Sequence, residues 1–347
     1  MTCCMEGDKL TWRILHNMDS LERIWRVWEV ENRLSPFLYF DYVREIYRQT
    51  RYHDLKYRPV FACVEGPEGM LMIAPLKWNV FKRNYKLLAD TQGCGQTDFL
   101  FAPSTDADTL RACVELFAAR IGHKVIFRRM NEHSPVTGIL RGMGRITKEA
   151  RLQCVTLSFG EDFDAHLKTL SASVRQNIRT AYNRMKRDDV TCTLQLFTAS
   201  NRMSSLMYKD VMRLYLERLF LKYTSQRGLK RLWRIGHHTF VYKYWKHDTI
   251  SLRANPNTFH ALLFINGELA SFMAGFMDNE QQKLVIPRLA IDHAFKFYSP
   301  GYVLLCETMR QLIANTAIRE LDLSRGDERY KFDLGGQPYY TDSYVFV

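Results

Sequence analysis

What this sequence lacks narrows it first. Its eight cysteines (Cys3, Cys4, Cys63, Cys94, Cys113, Cys154, Cys192 and Cys306) form no CxxC pair and no Cys/His array with zinc spacing. That argues against a zinc module and a disulfide scaffold; scattered thiols read as small buried side chains in a reducing compartment. No run approaches the ~18 uninterrupted apolar residues of a spanning helix. The longest candidate, residues 261–277, is broken by Asn266, Gly267 and Glu268. The opening MTCCMEGDKLTW has no apolar core and no cleavage signature, so the expectation is a cytoplasmic protein without a transmembrane segment. No helix-turn-helix accompanies the basic residues, which argues against sequence-specific DNA binding. His237 and His238, with His247 and His260, complete no ligand spacing, and no metal is assigned.

What is present is an excess of cations. Forty-nine Lys+Arg against 37 Asp+Glu leave a net charge of +12. This favours an anionic partner: a phosphate-bearing cofactor, nucleic acid, an acidic glycan or an anionic membrane face, so peripheral membrane association stays open. Six cations, Lys168, Arg175, Arg179, Arg184, Lys186 and Arg187, crowd one stretch, with Arg175 and Arg179 on one helical face at i, i+4. A solvated face and contact with an acidic acceptor or donor phosphate are both open readings of that stretch.

The pattern along 347 residues predicts two packed halves, at about 150 residues per domain. Asp19 or Ser20 can cap a helix in which Leu21, Ile24, Trp25 and Trp28 form one apolar stripe. A second helix is expected over 36–48. Runs 59–64 and 70–76 around Gly66-Pro67-Glu68-Gly69 predict a hairpin, and 85–89 a third strand. The loop TQGCGQTD (91–98), ending in Asp98, reads either as a ligand-facing turn or as a plain connection. A helix over 107–120 and a strand over 124–128 close this half. The pattern then restarts: a strand over 152–159, a basic helix over 173–186 and a helical stretch over 203–247. A hairpin follows about Asn266-Gly267, the strongest short hairpin signal. Strands over 283–291, 320–323 and 339–347 flank a helix over 301–314. The expected fold is α+β (mixed α/β), an internal duplication with one half over 1–150 and the other over 151–347.

Two stretches carry chemistry. In 288–305 a strand ends near Asp292, and Ser299-Pro300-Gly301 opens an apolar helix. Ser at the cap and Pro at the first helical position mark that start, whose free N–H groups suit a phosphate. In LDLSRGDERYKF (321–332) a strand runs into alternating carboxylates and cations. This cluster reads either as a solvated loop with ion pairs such as Asp327–Arg329 and Asp322–Arg325, or as a catalytic edge.

The order of FYSPGYVLL (297–305), a helix and LDLSRGDERYKF resembles the C-terminal signature of the CelD/BcsL-like acetyltransferase family. That family lies in the GNAT superfamily and is related to the FemX/FemAB aminoacyltransferases. The segment SASVRQNIRTA (171–181) is similar to the family's Arg-rich helix. The resemblance covers about residues 150–347; it implies two tandem GNAT-like halves, with an acyl donor in the C-terminal one. It places acetyl-CoA or another acyl-CoA as co-substrate along the splayed strand 283–292, with Arg288 and Ala290 beside the donor. It sets Tyr298, Ser299, Gly301 and Tyr302 at its pyrophosphate. The usual Arg/Gln-x-x-Gly-x-Gly/Ala loop is absent, and Gly301 alone stands in for it.

The chemistry to be served is attack of a neutral amine on a thioester, which needs a base, an oxyanion donor and an acid for the thiolate. Candidates are Asp327 and Asp322 for the base, Tyr330 for the acid, and Lys331 and Arg325 for charge stabilisation. Arg175, Arg179 and Asp98 are candidates for substrate binding. The acceptor implied is a small-molecule or glycan amine. Two alternatives stand beside this reading: a FemX-like ligase using aminoacyl-tRNA, and a non-catalytic GNAT-fold binding protein.

Overall fold

The strands of this protein alternate buried side chains between two faces, so each sheet must be covered on both sides. The computed structural model describes residues 10–90, 95–103, 105–223, 232, 233, 236 and 256–347. They divide into two units: residues up to Leu152 with Tyr340–Val347, and Gln153–Tyr339.

In the first unit β1 (Thr11–Leu15), α1 (Glu22–Glu31) and α2 (Phe40–His53) precede the hairpin β2 (Tyr57–Gly66) and β3 (Gly69–Asn79). β4 (Asn84–Leu87), β5 (Leu100–Phe101), α3 (Ala107–Arg120), β6 (Val125–Asn131) and α4 (Pro135–Gly142) follow. Val60, Ala62 and Val64 of β2 pack with Val114 and Phe117 of α3 and Leu140 of α4. Phe61, one residue out of phase, meets Trp25 of α1 and Tyr47 of α2. The predicted stripe is therefore real, with Leu21, Trp25 and Trp28 buried. Its cap is not the expected one: Ser20 and Asp19 both bond to Asn17, and no side chain caps α1.

The second unit begins within β7 (Ile146–Ser158) and continues through α5 (Phe163–Thr169), α6 (Ala172–Arg187), β8 (Cys192–Thr198) and α7 (Ser205–Tyr223). After the hairpin β9 (Thr258–Ile265) and β10 (Glu268–Asp278) come β11 (Lys283–Ile291), α8 (Pro300–Asn315), β12 (Glu320–Arg325) and α9 (Arg329–Asp333). β13 (Gln337–Phe346) ends the chain's secondary structure, and its residues 341–346 pair with β6 in the first unit. The second unit's strand order is β7-β12-β11-β10-β9-β8. Phe259, Ala261 and Leu263 of β9 pack with α6 and α8, while Leu262 packs with Val211, Leu214 and Tyr215 of α7. Asn266 and Gly267 both have positive φ (51° and 81°), as the hairpin's dipeptide predicts.

Each unit repeats the same path: hairpin, strand, helix, then a strand parallel to the first, β4 with β6 and β11 with β12. Each second parallel strand also carries a bulge with one left-handed residue, Arg129 (φ 59°) in β6 and Ser324 (φ 54°) in β12. This is an internal duplication at the level of architecture. The helix expected over 36–48 is displaced: a single turn covers Pro36–Leu38, and α2 starts only at Phe40. Of the helical stretch over 203–247, α7 is described; residues 224–231, 234, 235 and 237–255 lie outside the described residues, as do His237, His238, His247, Cys3, Cys4 and 91–94 of the glycine loop.

Candidate active site

β11 and β12 pair in parallel over only three residues, Lys283↔Glu320, Leu284↔Leu321 and Val285↔Asp322. Beyond that β11 follows β10 to Ile291 while β12 follows β7 to Arg325, so the two strands part. Both carry a bulge at the parting. On β11 the step from Val285 to Arg288 faces the shorter step from Phe276 to Ala274, and Pro287, which has no N–H to lose, sits inside it. Gly275 lies opposite, where a Cβ would come within 1.8 Å of the Val285 carbonyl oxygen.

On β12 the bulge is held by Asp322. Its Oδ1 accepts the Ser324 N–H at 2.7 Å, and the Tyr339 hydroxyl donates to both carboxylate oxygens at 2.9 and 2.8 Å. Burial raises the Asp322 pKa against those hydrogen bonds. Ser324 is buried, and its hydroxyl has no partner among the described residues. Neither Tyr339 nor Ser324 was singled out from the sequence.

The chain leaves β11 through a short 3-10 segment, His293–Tyr298, opened by Asp292, whose carboxylate accepts the Ala294 N–H at 2.8 Å. Ser299 stands at the cap of α8 with Pro300 at the first helical position, as the Ser-Pro signal predicts, but its side chain makes no capping bond. It is left-handed (φ 51°, ψ 51°), and its carbonyl accepts from Tyr302 and Val303 at 3.0 and 3.2 Å. The Ser271 hydroxyl of β10 donates to the Pro300 carbonyl at 3.1 Å, and a Cβ on Gly301 would meet Ile291 Cγ2 at 3.3 Å. The start of α8 is therefore locked against β10 and β11. Tyr298 donates to Asp188 at 3.2 Å and Tyr302 to Asp333 at 2.8 Å, and burial raises both phenols. Arg288 closes the β11 bulge and Ala290 follows it: the Arg288 guanidinium stacks over Tyr215 of α7 at 5.3 Å, and Ala290 packs in the α7 core.

The 325–331 cluster divides into buried and exposed members. Lys331 is 2% exposed; its ammonium donates to the Ser324, Arg325 and Gly326 carbonyls at 3.3, 3.1 and 3.5 Å and pairs with Glu328 at 3.1 Å. Tyr330 packs against the core of α6 and α8, and burial pushes its pKa well up. Arg325 and Asp327 are exposed, and Asp327 has no hydrogen bond or ion pair among the described residues. The ion pair that forms is Arg329–Asp333 at 3.6 Å, in place of Asp327–Arg329. Asp322 bonds to Tyr339 and Ser324 instead of pairing with Arg325.

The basic helix buries Val174, Ile178, Ala181 and Met185 and turns its cations outward. Arg175 donates to the Lys168 and Leu170 carbonyls at the end of α5, and Arg184 donates to the Phe297 carbonyl at 2.8 Å while stacking on that ring. Arg179 is exposed on the same helix. Asp98 lies in the first unit, where its carboxylate accepts from the Ser134 hydroxyl and the Phe99 N–H, both at 2.8 Å. Burial pushes its pKa up to about 7.

Between α7 and the end of β11, Leu214, Phe220, Leu221 and Ile291 line a cavity of about 250 Å³ whose polar wall is Glu217, Arg218, Asp292 and His293. Among the described residues no group of three His, Cys, Asp or Glu is placed to hold a metal, and no helix is long and apolar enough to cross a membrane.

Residues 172–332 match the family model described as acetyltransferase (GNAT) domain. No curated protein matches the chain. Among solved structures, a tandem GNAT protein from the clavulanic acid biosynthesis pathway is 9% identical, with a TM-score of 0.53 over 97% of this chain and 98% of its own. FemX is 9% identical, with a TM-score of 0.53 over 96% and 97%. The C-terminal domain of an Agrobacterium fabrum protein assigned as a lysylphosphatidylglycerol synthetase is 11% identical, with a TM-score of 0.52 over 94% and 92%. At such identities these likenesses speak for the fold alone.

Proposed function

We propose that this GNAT-superfamily protein, whose acetyltransferase domain spans residues 172–332, is an N-acyltransferase that moves an acyl group from an acyl-CoA thioester to an amine. The observation that carries this reading is the parting of β11 from β12 after three parallel pairs, with a bulge on each strand and α8 starting after the 3-10 segment that leaves β11. Strands that part leave backbone N–H and C=O groups without ladder partners, and those groups must find others. A thioester with its amide-bearing arm offers such partners, and a backbone N–H of β11 would meet the oxyanion.

The start of α8 suits the donor's pyrophosphate. With Tyr302 and Val303 bonded back to Ser299, the amide of Gly301 is the group we assign to it. The residues then take different roles. Asp327, exposed and without a partner among the described residues, takes the amine's proton. Tyr330, kept protonated by burial, gives a proton to the leaving thiolate. One C–N bond forms, one C–S bond breaks, and the proton count balances. Lys331 and Asp322 act as positioning residues: the first ties down the carbonyls of 324–326, the second the amide of Ser324. Arg325 and Arg179 remain candidates for an anionic substrate. The acceptor class we favour is an amino sugar or an amine metabolite.

The test is release of free thiol from acetyl-CoA in the presence of a panel of amines. Amine-dependent release is expected, with Asp327→Asn and Tyr330→Phe each lowering kcat by about 10²-fold or more. No release with any amine, alongside turnover of an aminoacyl-tRNA, would transfer the assignment to the ligase reading.

A further inference from the structure

At one end of the first unit, two structured turns push apolar side chains into solvent. Leu55 is 83% exposed, Phe81 76%, Tyr52 68% and Val80 37%. They are neighbours because the strand pairs Tyr57↔Asn79 and Arg58↔Trp78 end there, and the Val80 N–H donates to the Lys56 carbonyl at 3.1 Å. Both turns are held in shape from within. Asn79 Oδ1 accepts the N–H groups of Phe81 and Lys82 at 3.1 and 3.0 Å. Asp54 Oδ1 accepts those of Lys56 and Tyr57 at 2.7 and 3.2 Å. The outward aim of Leu55 and Phe81 is therefore part of the folded structure, although a soluble surface gains nothing from it.

The same tips are ringed by cations. Arg51, Lys56, Arg58, Lys82 and Arg83 are all exposed, and none forms an ion pair among the described residues. The carboxylate of the first turn, Asp54, is engaged through Oδ1 by backbone amides. Arg51 lies over the rings of Tyr47 and Tyr52, which keeps its charge beside an aromatic face.

We propose that this end of the first unit docks on an anionic lipid bilayer. Apolar tips would enter the boundary between headgroups and acyl chains, while the ring of cations meets the headgroup phosphates. A nucleic acid would match the charge, but it offers nothing to an aliphatic side chain standing alone at a turn, such as Leu55. Charge complementarity and the exposed aliphatic tip together select the membrane. The inference does not depend on the acyltransfer reading, since all of its residues lie in the first unit.

Sedimentation of the full chain with vesicles tests it. The vesicles are phosphatidylcholine alone or phosphatidylcholine with one-third phosphatidylglycerol, at low and at high salt. Pelleting with the anionic vesicles, weakened by salt, is expected. Leu55→Ser with Phe81→Ser, and separately Lys82→Glu with Arg83→Glu, should each lower partition by about ten-fold or more while melting like the unaltered protein. Failure of the unaltered protein to pellet with either vesicle overturns the proposal. So does full binding by the Leu55→Ser, Phe81→Ser variant, because charge alone would then suffice. Retardation of tRNA that is lost in Lys82→Glu, Arg83→Glu, without vesicle binding, would make nucleic acid the partner instead.

Discussion

At the scale of single residues, burial separates the polar groups of LDLSRGDERYKF into those that hold the backbone and those that do not. Lys331 and Asp322 are both enclosed, and each is saturated with hydrogen bonds to backbone or to Tyr339. A charge so committed is costly to free, which supports the positioning roles proposed for both. Asp327 and Tyr330 differ in the opposite sense, one open to solvent and one a protonated phenol at the edge of the core. Among the described glycines the closest backbone approach is at Gly275. A methyl group there would have to occupy the space of the Val285 carbonyl oxygen, which is backbone and cannot swing away. Gly275→Ala should therefore destabilise the second unit by about 3 kcal/mol or more, read as a lower urea midpoint with an unchanged m value. An alanine variant as stable as the original would mean that the β11 bulge is not built as described.

At the scale of elements, much of the architecture was legible because local signals and tertiary contacts agree. Asn266-Gly267 fixes its hairpin, and α3 spans the residues its pattern predicts. α4 went unread although Ser134-Pro135 repeats the start signal of Ser299-Pro300, because its eight residues span barely two turns of apolar period. β8 alternates clearly in CTLQLFT but sits between two helices rich in stronger signals. The site itself was half legible. A strand, a helix start and a charged edge could be placed, and the strand is the one that parts from β12. What could not be read was conformation: the left-handed Ser299 and Ser324 carry no glycine to announce them, and the Asp322–Tyr339 bond joins residues 17 apart. The Asp98 loop had two open readings, and its carboxylate proves to bond within its own unit, to Ser134.

At the scale of the whole molecule, two buried groups, one in each unit, respond to pH in opposite directions. In the first, burial raises Asp98 to about 7 from its ordinary 3.8, so the stability it allows is complete below its unfolded pKa and is lost as pH rises through 7. In the second, burial lowers the His166 pKa below its ordinary 6.5, so stability is full above 6.5 and falls as pH drops through the folded value. From acid to neutral pH the melting temperature should carry a downward drift from Asp98 and an upward one from His166, each read against the variant that removes it. Asp98→Asn should cancel the first drift and His166→Gln the second; drifts that survive both substitutions would contradict these assignments. The proposed function reduces to one binding step, an acyl-CoA held by the parted strands and the start of α8. Titration calorimetry of acetyl-CoA into the protein measures that directly. Saturable binding is expected, weakened about ten-fold or more by Gly301→Val, whose branched side chain would crowd the amide's approach to an anion, while the melting temperature falls by no more than a few degrees because the added Cβ meets only the Ile291 side chain. Absence of binding, or binding that Gly301→Val leaves untouched, would contradict it.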